Sequence, residues 1–403
     1  MTNRSRPTPS GPKGFRAGAV AAQIRYRGRT DLAALVCERP AVTAAVTTRN
    51  LFCSAPVLLC RRRLHQTPYA RGVIVNSGIA NACTGDRGWR DAETMANDAE
   101  RILGGTSGGT FLVASTGVIG EFLPTDRIHQ AMPALAESLH PEGWQDFARA
   151  IMTTDTVPKI SCRTVDLSGE AQATIIGVAK GSGMIHPNMA TLLGFLATDY
   201  PLEPRQADAL LRRVTERTLN CVTVDGDTST SDTVLLMAGG AAATRDQVNT
   251  QDDAAFEAQL TRVAEDLARD IAADGEGATH LITVQVTGAT DHTAAQRVAK
   301  TIAGSNLVKT AIFGRDPNWG RICCAAGYAG VPFDPGSFRL RLQNHLIMDN
   351  GLPTPFDREA LNLALTEHDV AIHVDLGQGS GRAHAWTCDL TYEYVKINAE
   401  YTT

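Results

Sequence analysis

The segment from Lys180 to Thr191, which reads K-G-S-G-M-I-H-P-N-M-A-T, most constrains what this chain can fold into. Its glycines and its proline predict a turn, and the apolar run Leu192–Ala197 behind it predicts a buried strand. A break in the Ala190–Thr191 bond would place a hydroxyl and a free α-amino group on one residue at the head of that strand. The amine can serve as base for the hydroxyl, because an α-amino group titrates near about pH 8. The turn chemistry alone equally fits a glycine turn that leads into an ordinary strand.

Composition narrows the class of protein. A chain of 403 residues with 43% hydrophobic and 20% charged residues predicts a globular protein of two domains with a sizeable core. The net charge of −5, without a basic or acidic block, indicates neither nucleic acid nor a membrane surface as a partner. No apolar stretch is long enough to span a bilayer. The segment Met1–Lys13 lacks a secretory signal and is typical of a disordered tail.

Metal and nucleotide sites find little support in the sequence. The nine cysteines form no C-x-x-C pair, which predicts reduced, mostly buried thiols in the cytoplasm. The ten histidines lack zinc-site spacing. The segment Asp225–Asp232 resembles a calcium loop but has Thr230 and Leu236 where such a loop needs glycine and glutamate. Glycines 377, 379 and 381 precede an extended segment and not a helix, which argues against a dinucleotide fingerprint. We therefore expect no metal and no nucleotide cofactor.

Helical and extended patterns alternate along the chain and predict an α/β fold with several layers of sheet and helix. Predicted helices are Arg90–Leu103, Trp144–Ile151, Gln206–Leu219, a stripe from Phe256 to Ile271, and Arg358–Leu365. Predicted strands are Gly72–Asn76, Phe111–Ala114, Thr174–Val178, Leu192–Ala197, Thr233–Met237 and Leu281–Val286. Short connections favour mixed or antiparallel sheets. A boundary near Thr287–Asp291 would divide the chain into a domain of residues 1–287 and a smaller α/β domain of residues 288–403.

An acyl transfer at Thr191 would need hydrogen-bond donors for the developing oxyanion. Thr116 and Gly117 follow the apolar run Phe111–Ala114, so a hydroxyl and a backbone N–H could form that pair of donors. A strand-ending turn explains the same residues. Lys180 leaves an apolar strand, where a lysine usually extends to the surface. In a partly dry cleft it could instead pair with a substrate carboxylate and keep the Thr191 amine neutral.

Two further segments carry polar groups that could meet a substrate. Thr153 and Thr154 follow a helix and precede a proline, which is typical of a loop with local capping hydrogen bonds. Glu276 lies between glycines after the long amphipathic helix, where the glycines predict a helix C-cap. The same position would let Glu276 meet an amino group. The C-terminal segment Tyr394–Thr403 alternates between apolar and polar residues and predicts an end that is tied down.

Motifs along nearly the whole chain, from Gly14 to Thr403, resemble the ornithine acetyltransferase (glutamate N-acetyltransferase) family. These motifs are the Lys180–Thr191 turn, N-S-G-I-A-N-A-C-T-G at 76–85, V-D-G-D-T-S-T-S-D at 224–232, I-F-G-R-D-P-N-W-G-R at 312–321 and A-W-T-C-D-L-T-Y at 385–392. Three positions depart from the family pattern. Ile79 and Ser231 each stand in place of an asparagine, and His280 stands where many relatives carry lysine.

The resemblance implies an N-terminal-nucleophile-like, self-processing acyltransferase that is cut into residues 1–190 and 191–403. It makes Thr191 the nucleophile, Thr116 and Gly117 the oxyanion donors, and Ala190–Thr191 the cleavage site. It implies substrate binding by Thr154, Lys180, Thr191, Glu276, Asn398 and Thr403. Thr153 is the neighbouring alternative to Thr154.

The implied reaction moves an acetyl group from N2-acetylornithine to glutamate by a ping-pong route through acetyl-Thr191, within arginine biosynthesis. The expected partners are small amino-acid substrates and a second copy in an α2β2 assembly in the cytoplasm. Acetyl-CoA is an alternative donor that some relatives use. Three other readings stay open: a specialised paralogue with another acyl donor or acceptor, an N-terminal-threonine amidohydrolase, and an uncut binding protein.

Overall fold

The longest strand of the larger sheet, Leu32–Thr47, pairs with three other strands and joins the two halves of the sheet. The computed structural model describes residues 10–105, 108–186 and 192–400. The strands of this sheet are β1 (Phe15–Val20), β2 (Leu32–Thr47), β3 (Tyr69–Ile79), β4 (Phe111–Val118), β5 (Lys159–Asp166), β6 (Gln172–Lys180), β7 (Leu193–Thr198) and β8 (Thr233–Ala238). Across the described ranges they pair in the order β4-β3-β2-β8-β7-β6-β5, and β1 also pairs with β2.

The pairing directions within this sheet are mixed. β2 pairs antiparallel with β3 mainly through its first half and with β8 through its second half, and its register shifts between Val36 and Ala41. β3 and β4 are parallel, as are β7 and β8, whereas β6 is antiparallel to β7. The predicted mixed sheet is therefore confirmed. One hydrophobic cluster includes residues from β3, β4, β6 and β7, so the two halves of the sheet share a core.

Helices pack on this sheet and on a second sheet, which is formed by the C-terminal part of the chain. They are α1 (Ala55–Gln66), α2 (Gly85–Ile102), α3 (Thr125–Ser138), α4 (Trp144–Ala150), α5 (Pro204–Arg217), α6 (Thr250–Ala273), α7 (His292–Ala303), α8 (Asn306–Phe313), α9 (Trp319–Gly327), α10 (Arg358–Ala364) and α11 (Tyr392–Glu400). No helix in the described ranges combines the length and the apolar character needed to cross a membrane.

α6 fixes the loop that follows it. The Asn249 side chain accepts hydrogen bonds from the amides of Gln251 and Asp252, which caps the N-terminus of the helix. The predicted apolar stripe from Phe256 to Ile271 is buried, and each large side chain stabilises the fold by roughly 1.5–3 kcal/mol. α6 contacts strands of both sheets. Its C-terminal end at Ala273 thus places residues 274–277 at a set position between the two sheets.

The second sheet occupies the C-terminal part of the chain. Its strands are β9 (Leu281–Ala289), β10 (Arg339–Leu342), β11 (His345–Asp349), β12 (Leu352–Pro353), β13 (Asp369–Asp375) and β14 (Gly381–Cys388). In the described ranges their order is β12-β11-β10-β13-β9-β14. The change from one sheet to the other therefore occurs ahead of Leu281. The predicted boundary between residues 287 and 288 falls inside β9, and the division into two domains stays a prediction.

Most predicted elements are present, and most of the predicted strands are longer than expected. The strand predicted at Gly72–Asn76 extends to Ile79, because its polar residues continue to pair with β4. The alternating C-terminal segment forms a helix through Glu400, since a short apolar pattern does not distinguish the two periods. The predicted tail ends before Lys13: the Lys13 amide donates to Asp199 over 2.9 Å. Residues 1–9 of that tail lie outside the described ranges.

Candidate active site

The end of β4 brings Thr116 and Gly117 against β3. In the parallel ladder, Thr116 pairs with Ser77 and Gly117 pairs with Gly78. A Cβ atom on Gly117 would lie 2.2 Å from the carbonyl carbon of Gly78, and the φ of Gly117 is +129°. Only glycine fits this close approach. The predicted donor pair therefore lies at the end of a strand that holds its backbone in a conformation closed to other residues.

Lys180, the last residue of β6, points to the same place. Its Nζ lies 2.8 Å from the Thr153 Oγ1 and 3.3 Å from the Thr116 Oγ1. The residue is 8% exposed and does not extend to the surface, which agrees with the alternative of a lysine in a partly dry cleft. Burial lowers the pKa of Lys180, and the nearby Lys159 lowers it further, while the Asp155 carboxylate opposes both. A buried ammonium group beside two hydroxyls can bind a carboxylate.

A buried network of Lys159, Asp155 and Asp274 adjoins Lys180. The Lys159 Nζ lies 2.7 Å from Asp155 Oδ1 and 2.6 Å from Asp274 Oδ2. Asp155 also accepts a hydrogen bond of 2.7 Å from the Gly181 amide. Burial alone would raise the pKa of Asp155, but the ammonium groups of Lys159 and Lys180 hold it below its ordinary value. This network fixes the start of the glycine turn to the C-terminal end of α6.

Glu276 lies where the turn and the C-terminal helix meet. Its side chain accepts a hydrogen bond of 2.7 Å from the Asn398 Nδ2, and its amide donates to the Ser182 carbonyl over 3.0 Å. A Cβ atom on Gly183 would lie 2.4 Å from the Glu276 carboxyl group. The structure thus brings together Glu276, Asn398 and the turn, three features that are far apart in the sequence. Glu276 is 7% exposed and so offers a buried carboxylate to a cationic group.

Residues 184–186 are clamped by the loop of residues 223–228. Asp225 accepts hydrogen bonds from the amides of Met184 (2.6 Å) and Ile185 (2.9 Å). Met184 has a φ of +54°, which is uncommon for a side chain of its size. The Ile185 carbonyl accepts from the Val224 amide, and the His186 carbonyl accepts from the Thr228 hydroxyl. The chain is therefore held in a set conformation up to His186.

His186 lies in the connection between β6 and β7. Its Nδ1 lies 2.9 Å from the Thr223 Oγ1. Burial lowers the pKa of His186 to about 4, and Lys300 adds to the effect, so the ring is neutral at physiological pH. Its hydrogen bond to Thr223 gives it a structural partner within the clamp.

Two small cavities of about 30 and 60 Å³ open beside these groups. Thr116 and Ser231 line both cavities, Lys180, Leu192 and Asp232 line the first, and Gly117 lines the second. Ala190 and Thr191 lie outside the described residues, as does Thr403. Leu192, however, follows Thr191 directly in the chain. The first cavity is therefore lined by the residue that directly follows the predicted nucleophile in the chain.

Of the two neighbouring hydroxyls at 153 and 154, the one that accepts a hydrogen bond from Lys180 belongs to Thr153. The substrate-binding role predicted for Thr154 stays a prediction, and Thr154 itself is half-buried in the same loop. Sequence reasoning gave no role to Asp155, Asp225 or Asp232. The T-T-D run at 153–155 and the acidic block at 225–232 hold these residues, so both signals were present in the sequence. The first run indicates a loop rich in hydroxyls, and the second fits a calcium loop poorly and resembles a family motif. Neither pattern predicts that these aspartates are buried.

The residues that depart from the resembled pattern occupy distinct places. Ser231 lines both cavities, and Ile79 ends β3 beside the donor pair. His280 is buried, with its Nδ1 2.9 Å from Asp389 Oδ2, and it supports the Glu276 loop. Ser231 is therefore the departure placed to change the volume of the site.

The described residues contain no cluster of histidine, cysteine, aspartate or glutamate suited to a metal ion. All nine cysteines are free; four are buried, three are half-buried, and Cys83 and Cys324 are exposed. The site is thus built from hydroxyls, amides, a lysine and carboxylates.

Comparison with known proteins gives a consistent result. Residues 16–403 match the model of the ArgJ family. The chain is 47% identical to a Thermosynechococcus vestitus protein named arginine biosynthesis bifunctional protein ArgJ, with 97% of each chain covered. A Synechocystis protein of the same name is also 47% identical, again with 97% of each chain covered. The crystal structure of arginine biosynthesis bifunctional protein ArgJ from Bacillus halodurans matches with a TM-score of 0.50 and 45% identity. That match covers 51% of this chain and 98% of the solved one.

Proposed function

Because the chain belongs to the ArgJ family, we propose that it transfers an acetyl group from N2-acetylornithine to glutamate. Such a transfer recycles the acetyl group within arginine biosynthesis, the process named for its relatives. One observation carries the proposal. The Lys180 ammonium and the Thr116 hydroxyl lie 3.3 Å apart and line one cavity with Leu192, the residue that follows Thr191.

The first proposed step is self-cleavage. The Thr191 hydroxyl attacks the Ala190 carbonyl, the C–N bond breaks, and the hydroxyl proton ends on the released nitrogen. Water then hydrolyses the ester and leaves chains of residues 1–190 and 191–403. The clamp on residues 184–186 supports this step, because a fixed approach to the scissile bond favours one reactive geometry. The match to a solved ArgJ chain that aligns over 98% of itself but 51% of this chain agrees with a protein of two shorter chains.

The second proposed step is ping-pong acyl transfer. The Thr191 amine takes the hydroxyl proton as the oxygen attacks the acetyl carbon of acetylornithine. The Thr116 hydroxyl and the Gly117 N–H donate to the oxyanion. When the C–N bond breaks, the proton passes from the ammonium to the ornithine amine, which leaves. Glutamate then enters, and its amine attacks acetyl-Thr191 in the reverse sequence.

Substrate binding in this proposal uses both signs of charge. Lys180 pairs with the substrate α-carboxylate, assisted by a hydroxyl of the Thr153–Thr154 loop. Glu276, with Asn398, accepts the side-chain ammonium of the ornithine moiety. Both groups are buried, which strengthens each interaction relative to water. Thr403, beyond Asn398, is proposed to complete this side of the site.

The remaining features are proposed by family membership. We assign an α2β2 assembly of the two cleaved chains. The nine free cysteines favour a reducing compartment, and we assign the enzyme to the cytoplasm. Acetyl-CoA is assigned as an alternative donor. Ser231, in the wall of both cavities, is the position where acceptor preference would differ from that of relatives.

Intact mass spectrometry after brief incubation with acetylornithine tests the proposal. We expect two chains, 1–190 and 191–403, with one acetyl group on the second. Thr191→Ala should remain a single uncut chain without an adduct. A wild-type protein that stays uncut yet transfers acetyl groups at full rate would overturn the proposal.

A transfer assay separates the rival activities. With acetylornithine and glutamate together, acetylglutamate should form much faster than free acetate. Predominant release of acetate would identify an amidohydrolase. An uncut wild-type chain with neither product would identify a binding protein.

A further inference from the structure

Asp232 is a buried carboxyl group to which neither proposed step has given a role. It immediately precedes β8 and is 2% exposed. It lines the cavity of about 30 Å³ together with Thr116, Lys180 and Leu192. Its Oδ2 is fully enclosed and has no hydrogen-bond partner among the described residues. A buried carboxylate oxygen without a partner is costly, so this atom marks a place where a hydrogen-bond donor is required.

The other carboxylates of the site already have partners. Asp155 is engaged by Lys159 and by the Gly181 amide. Glu276 accepts from Asn398. Asp232 differs from both, because its Oδ2 is a fully enclosed oxygen that lacks a hydrogen-bond partner among the described residues.

The strand pairing places Asp232 beside the start of β7. Leu193 pairs with Thr233 in the parallel ladder, and the Leu192 carbonyl accepts a hydrogen bond of 2.9 Å from the Thr233 amide. Asp232 and Leu192 thus precede paired residues on adjacent strands and line the same cavity. The nitrogen of Thr191 is one residue ahead of Leu192. Before cleavage that nitrogen is an amide, and after cleavage it is an amine.

We propose that the Asp232 carboxylate is the partner of the Thr191 α-amino group, a role that rests on the proposed cleavage. When the amine takes the hydroxyl proton, it becomes an ammonium group in a buried site. A carboxylate beside it stabilises that positive charge, as the aspartate of a Ser-His-Asp triad stabilises an imidazolium. The ammonium proton then passes to the leaving amine of ornithine, and Asp232 remains ionised throughout.

The surrounding charges set the direction of the expected pH effect. The charge of Asp232 acts on Lys180 at the end of β6 and on the Cys53 thiol in the loop after β2, and it raises the pKa of both groups. Asp155, Lys159 and Glu276 act on Lys180. Burial raises the pKa of Asp232 well above its ordinary value, while hydrogen bonds from Ser229 and the charge of Lys180 oppose this. A new ammonium group would add to the opposing effects and favour the carboxylate.

Removal of the carboxylate should change the rate and its pH dependence together. The amine must be neutral to act as base, so activity rises with pH through the pKa of the amine. A neighbouring negative charge raises that pKa. In Asp232→Asn the acidic limb of kcat/KM should therefore move to lower pH by about one unit. The plateau should fall roughly tenfold or more, because the ammonium loses its counter-charge.

The test compares wild type, Asp232→Asn, Asp232→Glu and the exposed control Asp246→Asn. Intact mass first establishes cleavage and acetylation in each. Profiles of kcat/KM against pH are then measured with acetylornithine and glutamate. We expect Asp232→Asn to be cleaved, with a lower plateau of kcat/KM and an acidic limb displaced to lower pH. Asp232→Glu should retain the wild-type limb, and Asp246→Asn should match wild type throughout.

Each other outcome counts against a specific claim. Asp232→Asn with the wild-type rate and limb would overturn the role of Asp232 and leave the transferase proposal intact. An Asp232→Asn chain that stays uncut or unfolded would also overturn it, because the role begins only after cleavage. Wild-type protein without cleavage or acetyl adduct would instead overturn the proposed function.

Discussion

The ammonium group of Lys180 lies 3.3 Å from the hydroxyl oxygen of Thr116, although 64 positions separate the two residues in the chain. The contact joins the last residue of β6 to the donor pair at the end of β4. It places a positive charge beside the position proposed for the oxyanion.

Replacement of Lys180 by methionine should raise KM for acetylornithine and glutamate at least tenfold, because a buried charge partner for the carboxylate is lost. The acidic limb of kcat/KM should also move to higher pH, since a neighbouring positive charge lowers the pKa of the Thr191 amine. Steady-state kinetics from pH 6 to 9 would measure both. Lys13→Met, at an exposed lysine, should leave both unchanged. A variant with unaltered KM would exclude Lys180 from substrate binding.

Gly117→Ala should lower kcat by about a hundredfold or more, the effect expected for loss of one oxyanion donor. The added Cβ would lie 2.2 Å from the Gly78 carbonyl carbon, so the backbone of β4 must shift. Gly120→Ala is the matched control. It also has a positive φ, of +85°, but nothing lies within 4 Å of its Cβ position. Equal losses of activity in the two variants would mean that backbone strain, and not the position of the N–H, explains the effect.

Asp225→Asn should slow self-cleavage, because a neutral amide side chain holds the amides of Met184 and Ile185 less strongly than a carboxylate. Met184 would then leave its positive φ more readily. Denaturing gels of freshly made protein would show an increased fraction of uncut chain. Asp227→Asn, at an exposed residue of the same loop, should be cleaved as wild type. Wild-type cleavage in Asp225→Asn would show that the clamp does not set the geometry of the cut.

Asp155→Asn should destabilise the protein by about 3–5 kcal/mol at pH 7, because Lys159 loses one of its two buried partners. The pKa of Asp155 is lowered in the folded state, so its carboxylate stabilises the fold above the unfolded pKa of about 4. That stability is lost as the pH falls through the folded pKa. The difference in thermal midpoint between wild type and variant should therefore be large at pH 7 and should shrink below about pH 4. A constant difference would exclude ionised Asp155 as the cause.

Thr153→Val and Thr154→Val would decide which hydroxyl meets the substrate. The Thr153 hydroxyl lies 2.8 Å from Lys180, so its loss should alter the position of the lysine, raise KM and shift the acidic limb of kcat/KM, as Lys180→Met should. Loss of the Thr154 hydroxyl should raise KM without shifting that limb. Steady-state constants for both substrates as a function of pH would measure this. A raised KM without a shifted limb in Thr153→Val, and an unchanged KM in Thr154→Val, would assign the substrate contact to Thr153.

The sequence predicts the elements well where one face is consistently apolar. The stripe from Phe256 to Ile271 and the strand Leu281–Val286 are both buried as expected, because burial of a periodic face determines such segments. The C-terminal helix was not predicted. Its position depends on contacts such as Asn398 with Glu276, which join residues that the sequence does not place near each other.

For the candidate site too, local patterns are visible in the sequence, whereas contacts between distant residues are not. The sequence predicts Thr116, Gly117 and Lys180 from their places at strand ends and from resemblance, and the structure brings these three residues together. The roles of Asp155, Asp225 and Asp232 depend on burial and on distances between separate elements. An aspartate in a loop is usually solvated, so the chain alone gives no reason to expect a buried carboxyl oxygen that lacks a partner among the described residues.

The strand order has a consequence for what a cut at residue 190 would release. β7 and β8 belong to the second product, yet they lie between β2 and β6 of the first. Two strands of the second fragment would lie between strands of the first, and hydrogen-bonded ladders would join the fragments at β2–β8 and at β6–β7. Neither could diffuse away, or exchange with a fragment from another molecule, without the whole layer coming apart. Scission would thus alter one bond while the fragments remain a single folded body that only denaturant can resolve.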